Sequence, residues 1–255
     1  MEKLAVNTEA GKISYLKGGQ GKNLILLHSL NLSSESWSKV FEPLAKNHTV
    51  YAVDMPGHGD SDKPPRNFLI GDYANSIMAF MDQLLIDQAI VCGNSVGALL
   101  ALEMAASYPK RVEKLILVGC PAWDPWERIE RITLASLSFD VEGNPKPLTL
   151  ADLAMPIAHP TTELLTWFNQ QRAKAGLWVK KTLIAIALYD ALPRMAQIKC
   201  PTLVLFGTKD FLRDKEQILL KEIKGTQAAY IEDAGHIPQL EKPEDFLKAV
   251  TGFLS

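Results

Sequence analysis

The strongest constraint on this chain is a set of short aliphatic runs with almost no polar alternation. "NLILLH" (23–28), "HTVYAVD" (48–54), "QAIVCG" (88–93), "KLILVG" (114–119) and "PTLVLFG" (201–207) are rich in β-branched residues. A strand with one wet face reads apolar and polar in turn, whereas a strand covered on both faces reads as a near-continuous apolar run. These runs therefore predict sheet strands sheltered by helices on both sides. "KISYL" (12–16) and "AAYIED" (228–233) add two further strands. Helical spacing fills the gaps. Ser34 to Ala45 aligns Trp37, Val40, Phe41 and Leu44, and Tyr73 to Leu85 aligns Ile77, Phe80, Met81 and Leu84. Ser95 to Ser107 is made largely of Ala and Leu, the best helix formers. Pro243 to Phe253 opens on Pro-Glu-Asp, a helix start. Strand and helix in this order predict an α/β fold with a mostly parallel sheet.

The alternation lapses between Pro121 and Pro193. Apolar residues there recur at helical spacing over 128–137, 161–168 and 177–192, with a Pro/Gly cluster at 142–147 and four of the five tryptophans. A stretch of about 70 residues is too long for a loop. It predicts a helical insertion at 121–193 in a core domain formed by 1–120 and 194–255.

Composition serves mainly to exclude. A net charge of −2 and the absence of a dense Lys/Arg stripe argue against nucleic-acid binding. No apolar run approaches the roughly 20 residues of a membrane span. The N-terminus lacks a basic-then-apolar signal segment. Cys92, Cys120 and Cys200 form an odd set without metal-like spacing, each in or beside an apolar run, which predicts reduced thiols. The expectation is a cytoplasmic protein, monomer or homodimer, with no nucleic-acid or membrane partner.

One motif carries chemistry. Gly93-Asn94-Ser95-Val96-Gly97 follows a predicted strand and opens a predicted helix. A sharp strand-to-helix turn strains the serine backbone, requires small flanking residues and raises the hydroxyl above the sheet. The helix N-terminus then brings its positive dipole end close. A serine nucleophile needs a base and an orienting acid. His236 lies in a loop after strand 228–233, and Asp210 lies three residues past strand 201–207. Each of the three follows the C-terminal end of a strand, where open α/β sheets bind ligands, and Ser…Asp…His is the order associated with this turn. Two backbone N–H groups must hold the oxyanion. Val96 is one, and the loop after "LILLH" supplies the other, Leu30 ahead of Asn31.

These pieces together resemble the α/β-hydrolase superfamily. The resemblance runs through "LILLHSLNLSSESW", "VYAVDMPGHGDSD", "VCGNSVGALLALEMAASYPKRVEKLILVG", "PTLVLFGTKD" and "DAGHIPQLEKPEDF", nearly the whole chain. It implies an eight-stranded, mostly parallel sheet flanked by helices, a helical cap, a triad at Ser95, Asp210 and His236, and neither metal nor organic cofactor. One departure stands out: the family usually has His-Gly where this chain has His28-Ser29. Ser29 is expected either to be a tolerated small residue or to reshape the loop that offers Leu30 N–H. His28 and His58 are expected to be structural, His48 to be at the surface and His159 to be away from substrate. Trp123, Trp126, Asn31 and Ile237 are expected to touch substrate, and Trp167 and Trp178 to fill the cap core.

A Ser-His-Asp constellation performs acyl transfer. The reading is a carboxylic ester hydrolase acting on small to medium, largely apolar esters or lactones. Two alternatives use the same fold. "GNS" resembles the meta-cleavage-product hydrolases, which break a carbon–carbon bond, although their Gly-Pro-Gly segment is replaced here by "SLNLSS". The other is a small-molecule receptor with slow turnover, whose serine turn "GNSVGA" also resembles.

Overall fold

The computed structural model describes residues 1–255 apart from the side chains at 134 and 135. Its strands are β1 (Glu2–Thr8), β2 (Gly11–Gly18), β3 (Lys22–Leu27), β4 (His48–Val53), β5 (Ala89–Asn94), β6 (Val112–Val118), β7 (Thr202–Gly207) and β8 (Gln227–Ile231). They form one sheet in the order β1-β2-β4-β3-β5-β6-β7-β8. The two pairings of β2 are antiparallel. Every pairing from β4 across to β8 is parallel.

Alternate residues of each apolar run feed opposite layers. Ile25, Leu27, Val91 and Leu117 join one core with Tyr73, Ile77 and Phe80 of α2 (Ile70–Gln83) and Leu99 of α3 (Val96–Ser107). Their neighbours Leu24, Leu26, Cys92 and Val118 join the other, with Phe41 of α1 (Ser38–Ala45) and Phe246 of α11 (Pro243–Leu254). Fully burying one such large aliphatic or aromatic side chain contributes about 1.5–3 kcal/mol. Both faces are dry, so neither needs polar residues.

β1 has no counterpart among the sequence expectations. It lies at the sheet edge, with only Leu4 and Val6 packed on the core, exposed Ala5 between them and charged or polar residues on either side. Its pattern is therefore too weak to stand out from a loop.

Between β6 and β7 the chain runs through five helices: α4 (Pro125–Ser136), α5 (Leu150–Leu153), α6 (Thr162–Ala175), α7 (Leu177–Leu188) and α8 (Leu192–Met195). Thr161 caps α6 by accepting a hydrogen bond from Leu164 N–H, and Gly176 ends it with φ 57°. The segment is tied to loops at the C-terminal edge of the sheet. Arg172 of α6 donates to Asn31 Oδ1 (2.9 Å), and the carbonyl of Pro156 accepts from His236 N–H (2.7 Å). The remaining helices, α9 (Glu216–Glu222) and α10 (Pro238–Glu241), flank β8 in sequence. Among the described residues, no helix is long and apolar enough to cross a membrane. The three cysteines are free; Cys92 and Cys120 are buried, which pushes their thiols up, and Cys200 is half-buried.

Candidate active site

Ser95 stands where β5 turns into α3, at φ 58° and ψ −117°. Its N–H donates to Val118 O of β6 (2.8 Å), which pins the turn to the sheet. The flanking glycines are a steric requirement. A Cβ on Gly93 would meet Gly97 O at 2.0 Å, and a Cβ on Gly97 would meet Leu27 O at 2.3 Å. Strain of this kind persists only where the surroundings over-determine it. The turn leaves Ser95 partly exposed on the wall of a cavity of about 510 Å³ that Leu30, Trp123 and His236 also line.

His236 follows β8, and its Nδ1 lies 2.9 and 3.0 Å from the two carboxylate oxygens of Asp210, three residues past β7. Asp210 Oδ1 also accepts from Leu212 N–H (2.9 Å), which fixes the carboxylate plane. Both residues are at most 5% exposed. With Nδ1 donating to a carboxylate, Nε2 is left as the ring's open acceptor. Phe211 covers the ring, with centroids 4.8 Å apart. Ser95 and His236 share the cavity, but among the described residues no hydrogen bond joins them. Contacts of this type often tighten only when substrate binds.

Two residues that sequence reasoning passed over hold the histidine loop. Asn94 is fully buried. Its Nδ2 donates to His236 O (2.9 Å) and Val118 O (3.2 Å), and its Oδ1 accepts from Gln239 Nε2 (3.1 Å). Glu241 accepts from the N–H groups of Gly235 (3.1 Å), Ile237 (3.3 Å) and Ala158 (2.7 Å). Burial lifts the Glu241 carboxyl above its ordinary range, although these three N–H groups oppose the rise. Asn94 had a signal, because it is the residue before Ser95. Glu241 had none, because a carboxylate serving backbone donors looks like any surface acid in "HIPQLEK".

The loop after β3 is braced by His28. Met55 N–H donates to Nε2 (3.0 Å), so Nδ1 carries the proton and donates to Ser29 O (2.8 Å). The Ser29 hydroxyl donates to Leu30 O (3.1 Å), so the serine in place of glycine tightens this loop. Asn31 adopts φ 72°. The Val96 N–H is the first of α3 and lies outside the intrahelical ladder.

His28 and His58 are both buried, with ring centroids 5.5 Å apart. Burial lowers the His28 pKa, and burial, with the neighbouring His28, lowers that of His58 from 6.5 to about 3. Well above pH 6.5 both rings are neutral whether the chain is folded or not. Below it, the unfolded chain takes up protons that the folded chain refuses, so stability falls as pH drops toward the folded values. For His58 the expected loss approaches about 1.4 kcal/mol per pH unit, and His28 acts in the same direction. Urea midpoints measured at pH 7 and pH 5 should show it, and equal midpoints would contradict it.

Trp123, Asn31 and Ile237 line the cavity. Trp126 does not: it is 81% exposed. Asp124 Oδ1 accepts from the N–H groups of Trp126 and Glu127, which caps α4 and sets its rotation. Five residues on, about 140° round the helix, Arg131 takes the cavity face instead. His159 is exposed and pairs with Asp233 (2.8 Å), and His48 Nδ1 bonds Leu44 O. Trp178 is buried, and Trp167 is half-buried against Phe168. The cavity also holds more charge than its sequence suggests, since Arg131, Arg172 and Asp152 all reach its wall.

The sequence profile of the alpha/beta hydrolase fold matches residues 22–243. The chain is 27% identical to the pimeloyl-[acyl-carrier protein] methyl ester esterase of Aeromonas hydrophila subsp. hydrophila, covering 95% of this chain and 99% of that protein. It is 29% identical to the 2-hydroxy-6-oxo-6-phenylhexa-2,4-dienoate hydrolase of Burkholderia cepacia, over 93% and 89% of the two chains. Among solved structures, the enol-lactonase from Burkholderia xenovorans LB400 superposes with a TM-score of 0.83 at 24% identity, covering 98% of this chain and 99% of that one.

Proposed function

The chain belongs to the alpha/beta hydrolase fold family, and from that premise we propose that it hydrolyses carboxylic esters or lactones through an acyl-enzyme on Ser95. The observation that carries this reading is the buried Asp210–His236 pair opening onto the same cavity as the strained Ser95. Ser95 Oγ attacks the carbonyl carbon while its proton passes to His236 Nε2. Asp210 keeps the ring in the tautomer that can accept it and balances the imidazolium. The N–H groups of Val96 and Leu30 hold the oxyanion, an effect worth about 3 kcal/mol of barrier per donor. The tetrahedral centre collapses, the ester C–O bond breaks, and Nε2 protonates the leaving alcohol. Water then gives its proton to Nε2 and attacks the acyl carbon. The acid leaves, and the proton returns to Ser95. The helical segment 121–193 acts as the cap over this cavity.

The 29% identity to a carbon–carbon hydrolase favours one second reading with the same residues. The test is steady-state hydrolysis of p-nitrophenyl esters from acetate to decanoate beside 2-hydroxy-6-oxo-6-phenylhexa-2,4-dienoate. Sustained ester turnover with a chain-length optimum is the expected result. Turnover of the dienoate alone would overturn the ester reading.

A further inference from the structure

Two arginines reach the cavity, and they differ in what they do there. Arg172 is nearly fully buried, and each nitrogen of its guanidinium already has a protein acceptor. Nε donates to Lys146 O (3.1 Å), Nη2 to Ser138 O (3.1 Å) and Nη1 to Asn31 Oδ1 (2.9 Å). It ties the helical segment to the loop after β3. Arg131 of α4 has no hydrogen bond or ion pair among the described residues, and its Nε is buried without an acceptor. Its guanidinium carbon lies 5.9 Å from the ring centroids of both Trp123 and Phe211. Those two rings fix the cation in place, but they supply no lone pair for its N–H groups.

Leaving a buried N–H donor without an acceptor is costly, and the cost is greater for a charged group. Nearby acids do not meet the need. Glu127 is engaged by Lys215 and by Asp124 N–H, and Asp124 caps α4. Asp152, among the described residues the one carboxylate on the cavity wall, accepts from Thr149 N–H and Oγ1 in the capping box of α5. Among the described residues, the cavity wall therefore carries two guanidinium groups against one carboxylate, and on one of them, that of Arg131, no nitrogen has a protein acceptor. Phe211 lies against both Arg131 and His236, so this charge stands one ring away from the reacting centre.

Resting on the ester-hydrolase reading above, we propose that Arg131 binds a carboxylate carried by the substrate, so that the natural ester or lactone is anionic, its charge a short chain away from the scissile carbonyl. A planar guanidinium held by two rings is preorganised for a bidentate carboxylate.

The test compares p-nitrophenyl monoesters of glutarate, adipate and suberate with uncharged p-nitrophenyl esters of equal chain length. In the wild type, kcat/KM should favour at least one charged ester over its neutral partner. In Arg131→Gln, the charged-to-neutral ratio should fall at least tenfold, chiefly through KM. Loss of packing against Phe211 would slow both esters together and leave the ratio unchanged, so an unchanged ratio overturns the proposal while the ester reading stands. If neither ester is turned over, the ester reading fails. Calorimetric binding of adipate to wild type and Arg131→Gln then still decides the role of Arg131: weaker binding by the variant supports it, and equal or absent binding overturns it.

Discussion

Replacing Ser95 by alanine is expected to lower kcat for any hydrolysed ester by about 10⁶-fold, the size of effect seen when a serine nucleophile is removed from such a constellation. The backbone at φ 58° aims the 95 side chain into the cavity, and the two glycines leave no room for another arrangement. The fold should be unaffected, because alanine keeps the Cβ that serine already places there and loses only the hydroxyl. Unchanged circular dichroism and melting temperature, beside vanished turnover, would separate a chemical role from a structural one. A variant that loses activity by unfolding, or one that keeps it, would each contradict this account.

The Asp210–His236 pair should show the next largest effect. Asp210→Asn is expected to cost about 10⁴-fold in kcat. Asp210 Oδ2 lies 3.0 Å from His236 Nδ1, and an amide nitrogen at that point would favour an unprotonated Nδ1. The proton then moves to Nε2, where it blocks removal of the serine proton. Gly119→Ala reaches the same pair by steric means. At φ 54°, a Cβ there would stand 2.7 Å from His236 Nδ1 and 2.8 Å from Asp210 Oδ2. Prising the pair apart by about 1 Å should cost on the order of 100-fold. Activity assays on both variants check this. If Asp210→Asn retained full activity, another carboxylate would have to orient the histidine, although Asp124 is occupied in capping α4.

The parts of the fold that could be read in advance were those with a strong period or a strong steric motif. The parallel strands announced themselves because both faces are dry, and their unbroken apolar runs reflect that. The turn at Ser95 was legible because its glycines answer to contacts closer than any side chain permits. β1 was not, because a half-wet edge strand leaves only Leu4 and Val6 as a signal. The helix expected from Ser34 begins as a 3₁₀ turn through Trp37 before α1, since Ser33 and Asp54 take up the first backbone N–H groups there. Trp126 was misjudged because nearness to a strand end says nothing about rotation round α4. Arg131 and Arg172 were invisible for the same reason: in sequence they are ordinary charges on amphipathic helices, and only tertiary packing turns them inward. Asn94 serves the backbone of a loop far along the chain, and only its place beside Ser95 marked it, whereas Glu241 serves backbone N–H groups of its own loop and of Ala158, a task without a local pattern.

The central claim is that Ser95, activated by His236 and Asp210, is the nucleophile. The most direct measurement is reaction with a p-nitrophenyl alkylphosphonate, in which the attacking oxygen forms a bond to phosphorus and p-nitrophenolate departs. The account predicts one equivalent of p-nitrophenolate per chain and a phosphonyl adduct that peptide mass spectrometry places on Ser95. Labelling should be absent in Ser95→Ala and slowed in Asp210→Asn. An adduct on any other residue, or steady ester hydrolysis by a chain that takes no label, would contradict it.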